Sequence, residues 1–152
     1  MASATVMSPA DRDAFLAEPR VGVLGVDDPD DGRAPLTVPI WFVYDPEVGV
    51  TVVTSPAGRK GRALDRAGRY TLVVQDEAVP YRYVSVEGPI VSAEPPDAAL
   101  LRRLAVHYLG ERGGGAYADA TVERDVRGAR AYVMRPEHWN TADLRDEMAP
   151  FT

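Results

Sequence analysis

The chain has 152 residues, with 17 basic side chains against 23 acidic ones for a formal charge of −6, 45% hydrophobic residues and no cysteine. That length suits one domain with a substantial core. The acidic balance disfavours sequence-independent binding of nucleic acid, and the lack of thiols excludes disulfides, Fe–S clusters, thiolate metal sites and a cysteine nucleophile. No apolar run approaches the ~20 residues of a membrane span, and the N-terminus lacks a basic-then-apolar leader, so a soluble cytoplasmic protein is the expectation. His107 and His138 are the only histidines, too few to suggest a histidine-based metal site.

Met1 to Met7 reads as a loose tail. Ser8-Pro9-Ala10-Asp11 supplies an N-cap, a proline at the first helical position and an acid three residues after the cap. A helix to about Ala17 follows, with Phe15 and Leu16 facing inward, and Pro19 ends it. Arg20 to Val26 and Leu36 to Tyr44 read as a strand hairpin around the acidic turn Asp27 to Arg33. That turn carries Asp27, Asp28, Asp30 and Asp31 but lacks the Gly and Glu offsets of a calcium loop, so a solvated turn is expected. Pro39 lacks an N–H and places its strand at an edge or a bulge. Val50 to Thr54 is a third strand, Gly58 to Ala67 a short helix, and Tyr70 to Gln75 a fourth strand.

Tyr81 to Ser92 is a long fifth strand, with Gly88-Pro89 suggesting a bulge or bend partway. Asp97 to Leu109 is the clearest amphipathic helix, with Leu100, Leu101, Leu104, Ala105 and Leu109 at helical spacing. His107 lies near its apolar face and reads as a core or interface residue. Gly110 and Gly113-Gly114-Gly115 mark the end of this helix and a flexible loop. Ala129 to Arg135 is the sixth strand, and Trp139 falls in the C-terminal tail. Six strands joined mostly by short turns, with few helices, predict a mainly β fold: an antiparallel sheet closed or nearly closed as a barrel.

The informative chemistry lies between Val53 and Arg62. A strand ends in Thr54 and Ser55, and a helix opens carrying Arg59, Lys60 and Arg62 in its first turns. Cations there oppose the helix dipole unless an anion is present. A phosphate would be met by free N–H groups, both hydroxyls and all three cations; a solvated basic turn is the other reading. Around Pro39, Ile40 and Trp41, amides freed by the proline can face a ligand's heteroatoms. Trp41 and Phe42 can wall a flat ring or simply fill core. Gln75, at a strand end, can bond a ring edge rich in amide groups.

In this order the segments VPIWF, VTVVTSPAGRKGRAL, YTLVVQ and PYRYVSVEGPI resemble the split-barrel flavin/deazaflavin oxidoreductase superfamily that includes pyridoxamine 5′-phosphate oxidase. The resemblance runs from about Asp11 to Trp139. SPAGRKGRAL and PYRYVSVEG look most like the deazaflavin branch, which uses coenzyme F420. The longer C-terminal segment of pyridoxamine phosphate oxidase itself has no counterpart, which argues against that substrate. The resemblance implies a six-stranded split barrel over residues 1–152, forming a homodimer with cofactor sites at the subunit interface and no metal.

It further implies that Thr54, Ser55, Arg59, Lys60 and Arg62 hold the cofactor phosphate and that Pro39, Ile40 and Trp41 line its ring. Gln75 would approach the ring or ribityl chain, and Trp139 would reach in from the partner subunit. Tyr81, Arg82 and Tyr83 would meet the substrate, and Arg12, Arg20 and Arg82 are candidates for the acidic tail of F420. The implied activity is hydride transfer to a small conjugated or unsaturated substrate, with no obligatory acid–base side chain. FMN is the alternative cofactor, and a non-catalytic flavin or tetrapyrrole carrier is the alternative role.

Overall fold

In the computed structural model, which describes residues 4–28, 30 and 32–152, the chain forms α1 (Pro9–Ala17), β1 (Gly22–Val26), β2 (Leu36–Ile40), β3 (Phe42–Asp45), β4 (Gly49–Thr54) and α2 (Arg59–Ala67). It continues through β5 (Arg69–Gln75), β6 (Arg82–Glu94), α3 (Ala98–Gly128), β7 (Arg130–Met134), β8 (His138–Asp143) and α4 (Arg145–Met148), and closes on a turn of 3₁₀ helix. The strands make one antiparallel sheet in the order β2-β1-β5-β6-β7-β4-β3, with β8 beside β6. Among the described residues no helix is long and apolar enough to cross a membrane. Asp31 of the acidic turn lies outside the described residues.

The mainly β split barrel is present, built from more strands than the six expected. Pro39 sits opposite Val23 on the edge strand β2, where its missing N–H need not interrupt a central ladder. Trp41 alone separates β2 from β3, and those two strands form opposite edges of the sheet. One residue joining two edges requires the sheet to curl until they meet. The expected strand Leu36 to Tyr44 is therefore two strands in two halves of a barrel. β6 serves both halves: Tyr83 to Pro89 pair with β5 and Ile90 to Glu94 with β7.

Inside the curl, Phe15, Leu24, Phe42, Leu64, Leu72, Val84 and Tyr132 are fully or almost fully buried. The Tyr70 hydroxyl lies 3.0 Å from the carbonyls of both Val50 and Tyr132, tying the halves together across the interior. Gly88 is a point of close approach rather than the bulge. A side chain there would strike the Arg135 carbonyl, and the register shift falls between Ile90 and Ser92.

Three further expectations are corrected. The N-terminal tail is docked from Thr5 onward: Thr5 bridges to Asp143, and the buried Met7 donates its N–H to Thr141 Oγ1 at 3.0 Å. The C-terminal tail contains β8, whose pairing with β6 satisfies a strand edge that would otherwise be bare. The glycine run after Leu109 is helical. Only Gly110 departs (φ 78, ψ 172), breaking α3 into two helices that fold against each other. A side chain on Gly114 would fall 2.5 Å from the Val106 nitrogen, so the glycines permit close helix packing and do not make a loop.

A charge network closes one end of the sheet. Asp76 accepts from Arg82 Nε at 2.7 Å and from Arg20 Nε at 3.1 Å, and both guanidinium groups lie over the Phe15 ring. Burial would raise the Asp76 pKa, but the two arginines outweigh it and hold the carboxyl below its ordinary value. A depressed folded pKa stabilises the fold above the ordinary carboxylate range and is lost as pH falls through the folded value. Asp76→Asn should therefore cost about 2 kcal/mol at neutral pH and less in acid, read by urea unfolding at both.

Candidate functional site

Trp41, at the corner between β2 and β3, is held from behind by α3. Its ring stacks on Tyr108 with centroids 4.8 Å apart and planes 9° from parallel. The Tyr108 hydroxyl accepts from the Phe42 N–H (3.1 Å) and donates to the Arg20 carbonyl (2.8 Å). Burial lifts this phenol to about 12, so it stays protonated and keeps both bonds. Tyr108→Phe should destabilise the fold by about 2 kcal/mol, since it strands the Phe42 N–H at the corner, and should loosen Trp41 as seen in its emission.

Beside this corner, β4 runs out through Thr54 into Ser55, and α2 begins four residues later. Gly61 binds the two together: a Cβ there would fall 2.5 Å from Pro56 Cα and closer still to the Ser55 carbonyl. The Ser55 hydroxyl accepts from the Ala57 N–H at 3.2 Å, which leaves its proton free to donate. No side chain caps Gly58, and the first bond inside α2 is from Arg62 N–H to the Gly58 carbonyl (3.0 Å). The amides of Arg59, Lys60 and Gly61 thus lack intrahelical acceptors.

The three cations differ. Arg59 is ion-paired with Asp28 of the β1–β2 turn, and Arg62 Nη1 donates to the Ala57 carbonyl at 2.6 Å. Lys60 has neither kind of partner among the described residues.

Ile40, Trp41, Thr54 and Ser55 line a cavity of about 470 Å³, within the range of small-molecule sites. Its far wall comes from α3, where Tyr117, Thr121, Arg124 and Asp125 face in. Sequence reasoning misses these four because the glycine run predicts a loop. Their spacing of four, three and one marks a helical face once that run is taken as helix. Tyr117 tilts against Trp41 at 6.0 Å, and Arg124 pairs with its neighbour Asp125. The cavity offers a flat aromatic wall and the hydroxyl-bearing side chains of Thr54, Ser55, Tyr117 and Thr121.

Arg59, Lys60 and Arg62 do not line this cavity, and neither do the remaining expected residues. Gln75 and Tyr83 face each other across β5 and β6, Tyr81 precedes β6, and Arg82 is engaged by Asp76. Pro39, Val23, Val73 and Ser85 form a neighbouring row across β2, β1, β5 and β6. Val23 on this outer face is 41% exposed, whereas α3 covers the outer face around β3. Trp139 lies on β8 with Arg12 above it and Tyr44 against its edge.

A curled antiparallel barrel split into two halves, with a cavity where its edges meet, defines a split-barrel protein. A family profile described as pyridoxamine 5′-phosphate oxidase matches residues 9–143, and the chain belongs to that family. The family is one of flavin-type cofactors and oxidoreductase chemistry.

Among solved structures, a conserved hypothetical protein from Mycobacterium tuberculosis is 22% identical, with a TM-score of 0.76 over 97% of this chain and 91% of that one. An F420 reductase is 23% identical, with a TM-score of 0.67 over 84% and 94%. A haem storage protein from Vibrio cholerae is 20% identical, with a TM-score of 0.64 over 88% and 94%. These likenesses show the shared fold. No curated protein matches the chain.

Proposed function

We propose that the chain is a reductase that binds coenzyme F420 at the Trp41 corner and serves hydride transfer to a small conjugated or unsaturated molecule. The observation that carries this reading is one cavity lined by both the Trp41 ring and the Ser55 hydroxyl, with the uncapped start of α2 following four residues after Ser55. A flat ring suits the Trp41 wall, and an oxyanion suits the Ser55 hydroxyl and the amides that open α2. The residues present fit a phosphate-bearing deazaflavin or flavin. Such a group supplies the hydride chemistry itself. The chain's part is to hold the phosphate at Ser55 and Lys60 and to keep the ring against Trp41.

Further observations support this reading. The uncovered outer face around Val23, Val73 and Tyr83 suits a second copy of the chain, which would bring Gln75, Tyr81, Arg82 and Tyr83 of one subunit toward the cavity of the other; Trp139, in register with the inward Val86, does not share that face. The F420 reductase among the structural relatives favours F420 over FMN. A tetrapyrrole carrier is less favoured, because the cavity lining holds no His or Met to ligate iron.

The test is turnover: reduced F420 mixed with the protein and an activated enone should be oxidised far faster than without protein. Tight binding with no oxidation against any acceptor would make the protein a carrier.

A further outcome concerns Arg59. Asp28→Asn removes its ion-pair partner and should strengthen cofactor binding roughly threefold, the scale of one exposed ion pair. Equilibrium titration of the two proteins decides it.

A further inference from the structure

A second pocket, of about 270 Å³, opens where α1 meets the β3–β4 and β7–β8 turns, apart from the Trp41 cavity. Arg12, Asp13, Tyr44, Glu47, Arg135 and Trp139 line it. The Arg12 guanidinium lies over the Trp139 ring, 3.9 Å from its centroid, and Tyr44 meets that ring edge-on at 6.2 Å. Arg12 Nε is buried with no hydrogen-bond partner. Among the described residues neither Arg12 nor Arg135 has an ion-pair partner.

Among the described residues Asp13 makes neither a hydrogen bond nor an ion pair with Arg12. Asp13 accepts the Tyr44 hydroxyl at 2.7 Å, and that bond fixes Tyr44 as a wall of the pocket. A guanidinium pressed on an indole keeps its edge for a planar acceptor, which is the geometry of a carboxylate. The pocket's formal charges, Arg12 and Arg135 against Asp13 and Glu47, sum to zero. With no net charge, the pocket selects by contact: a carboxylate on the guanidinium edge and a flat apolar body against Tyr44 and Trp139.

We propose that this barrel-mouth pocket binds a small organic monocarboxylate, preferably one carried on a planar ring, with Arg12 as the principal anchor, Arg135 as the second cation and Tyr44 and Trp139 as the apolar walls. The site is separate from the proposed cofactor cavity and does not depend on it.

The protein has two tryptophans, one in each pocket, so the indole N–H signals of the unaltered chain report the two sites separately. Trp139→Phe and Trp41→Phe assign them. Titration with benzoate should shift the Trp139 signal saturably and leave Trp41 in place; benzamide, isosteric and neutral, should do neither. Inorganic phosphate should bind at least tenfold more weakly than benzoate at this site. Arg12→Gln should weaken benzoate binding at least tenfold, and Arg12→Lys should restore only part of it because the fork is lost.

No saturable shift of Trp139 up to ~10 mM benzoate, an equal response to benzamide, or unchanged affinity in a folded Arg12→Gln protein would overturn the proposal. A benzoate shift confined to Trp41 would also overturn it, and would say nothing against the cofactor reading.

Discussion

Lys60→Ala should raise the dissociation constant for a phosphate-bearing deazaflavin or flavin about 10–100-fold. Of the three cations at the start of α2, Arg59 is committed to Asp28 and Arg62 to the Ala57 carbonyl. Among the described residues Lys60 has no such partner. Removing it also removes a cation from the positive end of a helix dipole, so the ligand-free protein should become slightly more stable, by about 0.5 kcal/mol. Opposite signs for binding and stability set this variant apart from ordinary structural damage. Paired titration and thermal unfolding measure both, and unchanged affinity would remove Lys60 from the site.

Gly61→Ala should be the most damaging single-methyl change near the cavity, costing about 3 kcal/mol. The added Cβ meets backbone, the Ser55 carbonyl and Pro56 Cα, which cannot rotate aside as a side chain can. The first turn of α2 must move away from Ser55, and the hydroxyl and the free amides then no longer face one point. Cofactor affinity should fall together with stability. Gly58→Ala, whose Cβ would meet nothing nearer than 3.7 Å, is the matched control and should do neither. Denaturant unfolding of the two variants gives the comparison.

Much of the site follows from local rules, and the exceptions have identifiable causes. Ser8 caps α1 through Asp11 N–H at 3.1 Å, as its position before Pro9 dictates. Pro39 marks an edge strand for the reason proline always does, its missing donor. Neither rule reveals that one residue later the chain passes from one edge of the sheet to the other; that follows from closure of the barrel, a property of all the strands together.

The glycine run after Leu109 misleads because helix propensity scores glycine as a breaker. Here Gly114 is selected by the Val106 backbone packed against it, a tertiary demand that overrides propensity. The wall of Tyr117, Thr121, Arg124 and Asp125 was hidden by the same misreading. Arg59 shows a third limit. Its charge is visible in the sequence, but its partner Asp28 is 31 residues away and meets it only through the β1–β2 turn.

The central claim, that a deazaflavin phosphate sits at the start of α2 with its ring on Trp41, is tested most directly by titrating the protein with F420 and with FMN in parallel and following Trp41 emission in a Trp139→Phe background. The prediction is saturable quenching by both, tighter for F420, and weakened for both by Lys60→Ala. Tighter binding of FMN would contradict the choice of cofactor, and quenching by neither would contradict the site.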